Sequence, residues 1–209
     1  MALHNPALLP LIPERLLRKH HVHERYDTRF RAAARLLQAL WRERQNLPEG
    51  HYTNAAGRRR RLGSRLATDA AKNGANFLSP EIFGQARCDL AYREPGALMD
   101  IERMQANLLS SMPLCFNLFA PLKQDKALAR RVFARLAPGV AKQITHIQFE
   151  HSPGRGDPTF TGDGSAFDAI ATARAPDGGK TFIAIETKYS ESITEPEARL
   201  RPRYDELAR

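Results

Sequence analysis

Four ionisable residues stand at the ends of three short apolar segments: Glu150 after Phe149, Asp168 after Phe167, and Glu186 and Lys188 after Phe182-Ile183-Ala184-Ile185. The last run is apolar at consecutive positions, which predicts a strand covered on both faces. Running it straight into Glu186 brings a carboxylate to the edge of a buried sheet, and such a charge needs a cation. Lys188 could meet that need as a plain ion pair, two residues along one strand face. A hairpin brings more together. Pro176-Asp177-Gly178-Gly179 is a strong turn signal, and a hairpin centred on Gly178 sets Asp168 across from Lys188, with Glu186 diagonally beside it. Two carboxylates this close repel and raise a pKa unless a divalent cation lies between them. Mg²⁺ suits all-oxygen donors and needs only one or two carboxylates plus a substrate phosphate, with Mn²⁺ as its natural substitute. Such an ion polarises a phosphodiester and lowers the pKa of a bound water, while Lys188 orients or deprotonates that nucleophile and steadies developing negative charge. The chemistry predicted is phosphodiester hydrolysis.

Three strands must position these groups. Gln143–Glu150, Ala166–Arg174 and Thr181–Lys188 are short, rich in β-branched or aromatic residues and bounded by Gly, Pro and Asp. The connector Gly154–Ser165 holds four glycines and predicts a long loop. Helices come first. From Glu24 to Gln45, Phe30, Ala33, Ala34, Leu37, Leu40 and Trp41 recur at steps of three and four, and Leu47-Pro48-Glu49-Gly50 ends the pattern. A second helix is expected over Leu62–Lys72, a third over Asp100–Ser111 closed by Pro113, and a fourth over Asp125–Leu136 with Asp125 as its N-cap. Thr194-Glu195-Pro196-Glu197 matches a capping box that opens a last helix, kinked at Pro202. Helices, three strands and a helix predict an α/β (α+β) core.

The charge is uneven. Residues 1–75 hold 15 Lys/Arg against 6 Asp/Glu, whereas residues 76–209 hold 17 of each, so the first third supplies the whole formal excess of +9. Arg58, Arg59, Arg60 and Arg61 form its one dense run. Clustered Lys and Arg attract phosphates and release counterions, which puts DNA or RNA ahead of an acidic membrane surface as partner; a solvated basic face is the alternative. A division into a basic helical portion, 1–75, and a catalytic core, 76–209, follows. At 42% hydrophobic residues the chain can bury a sizeable core. No apolar run approaches the length needed to cross a bilayer, and Ala7–Leu17 contains Pro10 and Pro13 with no basic residue ahead of it, so a soluble protein without a secretory signal is expected. Cys88 and Cys115 lack a CxxC spacing and suit a reducing cytoplasm.

Asp168 followed 18 residues later by Glu186-Thr187-Lys188 resembles the core signature of the PD-(D/E)XK nuclease superfamily. Asn107-Leu-Leu-Ser-Ser-Met-Pro-Leu-Cys-Phe-Asn117, Phe149-Glu-His-Ser-Pro-Gly-Arg155 and Ile185-Glu-Thr-Lys-Tyr-Ser-Glu191 are similar to segments of a poorly characterised microbial subgroup of restriction-endonuclease-like proteins. The similarity runs from about Arg31 to Tyr204. It implies a restriction-endonuclease-like core with a central mixed sheet flanked by helices, and Mg²⁺-dependent endonucleolytic cleavage of DNA. By the same resemblance Asp168 and Glu186 are metal ligands, Lys188 is the catalytic lysine, and Glu150 is a third carboxylate assisting metal or water. Phe167 stands where the name-giving proline would be, and the fold ordinarily continues into a further strand after its last helix, so a fragment or truncated product lacking that strand is expected.

Weaker signals leave alternatives open. Glu150 and His151 face either a site or solvent at a strand end. Arg155, in the glycine-rich loop, is either a phosphate contact or a loop arginine in water. Asn107, with Ser110 and Ser111, either fixes a helix or touches a phosphate. A catalytically inert nucleic-acid-binding module that keeps the fold is the second functional reading, and action on another phosphoester the third. Cutting both strands of a duplex needs two sites, which a homodimer would supply.

Overall fold

The basic first third does not fold as helices alone. In the computed structural model, which describes residues 11–53, 56–162, 164–190 and 202–207, it forms α1 (Glu14–Lys19), α2 (Arg29–Arg44), β1 (Glu49–Thr53), β2 (Arg59–Leu66) and α3 (Thr68–Lys72). With α5 (Ile101–Ala106) these belong to the first of two compact units, Met1–Leu78, Asp100–Pro113 and Lys188–Glu191.

Helix α2 starts where Thr28 Oγ1 accepts the Arg31 N–H at 3.2 Å. The face it buries differs from the predicted stripe. Ala34, Leu36, Ala39 and Arg42 are covered, whereas Leu37 is 62% exposed and Phe30 46%. Arg42 tolerates burial because its guanidinium donates to the carbonyls of Gly63 at 2.9 Å and Leu47 at 2.7 Å. Leu36 and Ala39 pack with Leu17 and Val22.

The helix expected over Leu62–Lys72 is replaced by β2 and the short α3. Strand β2 pairs antiparallel with β1, from Gly50 opposite Leu62 to Thr53 opposite Arg59, with a bulge at Glu49/Gly50. Tertiary contact decides the matter at Gly63: its N–H donates to the His21 carbonyl, and a Cβ there would meet the His20 carbonyl oxygen at 2.1 Å. Only glycine permits that approach, and an extended chain delivers it.

The second unit comprises Ser79–Met99, Leu114–Thr187 and Ser192–Arg209. It contains α4 (Pro80–Ala91), most of α6 (Ser111–Gln124), α7 (Lys126–Leu136), a sheet of β3 (Gln143–His151), β4 (Phe167–Arg174) and β5 (Lys180–Ile185), and α8 (Pro202–Leu207). Ser79 caps α4 through its hydroxyl, and Pro80 takes the first helical position, where its missing N–H costs nothing. Asp125 caps α7 as expected, accepting the N–H groups of Ala127 at 2.8 Å and Leu128 at 2.9 Å. Pro113 lies within the first turn of α6 rather than closing a helix, a position at which proline is tolerated. The predicted capping box at Thr194–Glu197 lies outside the described residues; Pro202 begins α8.

The architecture is α+β. The sheet order is β3-β4-β5, and every pairing among the described residues is antiparallel, where a mixed sheet is predicted. Central β4 buries Ala169, Ile170, Ala171 and Ala173. On β3, Ile144, Ile147 and Phe149 are buried, and Phe149 stacks on Phe116 of α6 with ring centroids 4.2 Å apart. Strand β5 is not covered on both faces: Phe182 is 61% exposed and Ala184 is exposed. It pairs only with β4 among the described residues, so its apolar run reflects an edge strand with one open face.

Candidate active site

The β4–β5 hairpin turns one residue earlier than a Gly178 centre requires. Ala169 pairs with Ile185 and Arg174 with Lys180, with Asp177 at the midpoint. In that register the position beyond Ala169–Ile185 belongs to Asp168 and Glu186, so the predicted Asp168–Lys188 opposition is corrected to Asp168 and Glu186. On the other side of β4, Phe149 pairs with Ala169 and His151 with Phe167, which leaves Glu150 level with Asp168. Glu150, Asp168 and Glu186 therefore occupy one row across three neighbouring chain segments.

Each member of the row is held differently. Asp168 is half-buried, and its Oδ2 accepts both the backbone N–H and the hydroxyl of Thr187, each at 2.6 Å. These charge-assisted bonds fix the carboxylate. Glu186 is exposed and follows the end of β5. Glu150 has φ +49°, a left-handed conformation that costs a residue with a side chain about 1–2 kcal/mol. Backbone strain at a non-glycine residue persists only where its surroundings enforce it, and such residues cluster at functional sites.

Arg155 provides part of that enforcement. Its Nη2 donates to the Glu150 carbonyl at 3.0 Å, its Nη1 to the carbonyls of Gly164 at 2.8 Å and Gly96 at 3.2 Å, and its Nε to Glu94 Oε2 at 3.3 Å. The guanidinium thus addresses protein acceptors across the glycine-rich loop. Glu94 also pairs with His151 Nδ1 and accepts the Ser152 N–H at 3.3 Å. Burial pushes the Glu94 carboxyl up, but the bonds from His151, Ser152 and Arg155 outweigh it and leave the group below the usual carboxylate range.

The three carboxylates share a neighbour in α6. Burial pushes the Cys115 thiol far up, and the negative charges of Asp168, Glu150 and Glu186 add to the shift against a hydrogen bond with Thr187. These effects favour the protonated thiol of Cys115. The remaining donors are carboxylate oxygens, which fit a hard divalent cation. Among the described residues no group of three His, Cys, Asp or Glu side chains is already gathered tightly enough to hold a metal ion; two carboxylates with substrate oxygens are the smaller set this row can offer.

Lys188 follows Glu186 by two residues, is exposed, and begins the Lys188–Glu191 segment of the first unit. Arg58, Arg59, Arg60 and Arg61 are exposed at the start of β2, where Arg60 pairs with Glu24 and Arg61 with Glu49. Sequence reasoning missed Thr187, although it stands between the two charged residues of the signature. It also missed Glu94, whose link to His151 spans 57 residues and leaves no local trace.

A family model of the PD-(D/E)XK nuclease superfamily matches residues 25–209. The chain belongs to this superfamily. Its members are generally nucleases, and those nucleases usually use divalent metals. No curated protein and no solved structure matches the chain significantly. No helix among the described residues is long and apolar enough to cross a membrane.

Proposed function

We propose that the protein is a Mg²⁺-dependent endodeoxyribonuclease whose metal is held by Asp168 and Glu186, with Glu150 assisting. The observation that carries this reading is the Glu150–Asp168–Glu186 row at the end of the β3-β4-β5 sheet. Thr187 keeps the Asp168 carboxylate oriented, so little reorganisation is needed when substrate arrives. Bound there, Mg²⁺, or Mn²⁺ in its place, neutralises phosphate charge and makes a water molecule more acidic. Glu150 directs that water or its proton, and Arg155 keeps the backbone of Glu150 in place. Lys188, fastened to Glu186 through a single intervening residue, orients the nucleophile and steadies the charge that develops on the phosphate. The arginines of the first 75 residues, Arg58–Arg61 among them, hold the DNA backbone. A homodimer would supply the second site that double-strand cleavage needs, and two free cysteines suit the cytoplasm.

Incubation of the purified chain with plasmid DNA and Mg²⁺ tests the assignment. Cleavage is expected from the wild type and not from Asp168→Ala or Lys188→Ala; nicking that survives either substitution sinks the site. A second reading, an inert nucleic-acid-binding module, draws on the lack of a pre-gathered three-donor group among the described residues. Steeply salt-dependent DNA binding with no metal-stimulated cleavage selects it.

A further inference from the structure

Strand β2 changes character along its length. Leu62, Gly63, Ser64 and Leu66 are buried, whereas Arg59, Arg60 and Arg61 are exposed, as are His51 and Thr53 on β1. The root of this two-stranded ribbon therefore lies within the first unit, and its outer half stands outside the core. That half pairs Thr53 with Arg59, Tyr52 with Arg60 and His51 with Arg61, a stretch about 10 Å long at the rise of an extended chain. Opposite residues of an antiparallel pair share a face. Tyr52 and Arg60 are on the face held to the unit, where Arg60 pairs with Glu24 and the Tyr52 ring centroid lies 5.2 Å from the Arg65 guanidinium. His51, Thr53, Arg59 and Arg61 make the other face, and all four are exposed. Glu49 steadies one of them: its side chain is only 11% exposed, pairs with Arg61 Nε and lies 2.9 Å from His21 Nδ1. A largely buried carboxylate on Nε restrains a long side chain before any partner arrives and turns its terminal nitrogens outward as a fork.

Shape and chemistry choose the partner. Two strands about 5 Å apart, with their side chains, match the major groove of B-form DNA, which is about 12 Å wide and 8.5 Å deep and admits a two-stranded ribbon. The major groove of an RNA duplex is too narrow for side chains to read. The basic face suits a polyanion, and its side chains suit base edges. An arginine fork meets guanine O6 and N7 together, and Thr53 offers a hydroxyl and a methyl, the groups that meet a neighbouring base and a thymine methyl.

We propose that the outer face of the β1–β2 ribbon enters the major groove of B-form DNA and that Arg59 and Arg61 read guanine edges there, rather than joining their neighbours on the phosphates. This rests on DNA being the substrate and adds to that reading how the duplex is recognised. With the full chain in EDTA, fluorescence anisotropy compares four labelled probes: a short guanine-rich DNA duplex, the same duplex with 7-deazaguanine for guanine, the RNA duplex of the same sequence, and one DNA strand alone. Deazaguanine lacks the N7 acceptor but keeps base pairing and every phosphate. The guanine duplex is expected to bind about tenfold more tightly than the deazaguanine and RNA duplexes, the size of one lost bidentate contact. The contrast between the two DNA duplexes should shrink in Arg59→Gln and in Arg61→Gln, and persist in Arg130→Gln on α7. Because Arg61→Gln takes a partner from Glu49, melting temperatures are recorded alongside; Arg59→Gln leaves that pair intact and carries the test should the other variant fail to fold. Equal affinity for the two DNA duplexes overturns the proposal, as do tighter binding of the RNA duplex or the single strand, a lack of DNA binding, or a contrast undiminished in either folded variant. A chain that discriminates in this way but never cuts DNA once Mg²⁺ is added would uphold the ribbon and sink the nuclease, so the two readings fail separately.

Discussion

Glu150 offers a test in which backbone and side chain can be separated. Glu150→Ala and Glu150→Gly both delete the carboxylate and every contact it makes, so the difference between them reports the left-handed backbone alone. Alanine keeps the cost of φ +49°, about 1–2 kcal/mol; glycine removes it but makes the unfolded chain looser by about 0.5–1 kcal/mol. The balance favours glycine by about 0.5–1 kcal/mol, or about 2 °C in melting temperature for a chain of this size. Urea unfolding and thermal melts of the two purified variants measure it directly. Plasmid cleavage by the same samples is expected to fall together, because neither restores the carboxylate. A glycine variant that is no more stable than the alanine variant refutes the strained conformation, and with it the idea that Arg155 and the loop hold Glu150 against its own preference.

Two further perturbations probe the surroundings of the row. Thr187→Val keeps the backbone donor to Asp168 and removes the hydroxyl donor; losing one charge-assisted bond, worth about 1.5–3 kcal/mol, should lower cleavage about tenfold or more, while Thr187→Ser retains it. Full activity in the valine variant would deny Thr187 that orienting role. The Glu94 carboxyl is below its usual range in the folded chain, so the stability it supplies is present above the ordinary carboxylate range and is lost as pH falls through its lowered value. Glu94→Gln should therefore flatten the acid side of a melting-temperature profile taken from neutral pH to about 3; an unchanged profile would show that the Glu94 network is energetically idle.

Local chemistry made several elements readable in advance. The cap at Asp125, the three short strands and the α+β class rest on side chains meeting their own neighbours in sequence, and the superfamily signature rests on residue types at a fixed spacing. Where the deciding contact is distant, the sequence misleads. Leu62–Leu66 can be written on a helical face, but Gly63 must lie against the His20 carbonyl, and an extended chain wins. The apolar run of β5 predicts cover on both faces, yet whether an edge is covered depends on what packs there. The hairpin shows the same limit on a finer scale. Turn residues announced that the chain reverses, but the pairing centres on Asp177 rather than Gly178, which exchanged Lys188 for Glu186 opposite Asp168. Residue identity determined which charges exist and that they stand at strand ends. Packing of separated segments decided which of them share a row, because a pairing register is a property of two strands and a core, and neither strand carries it alone.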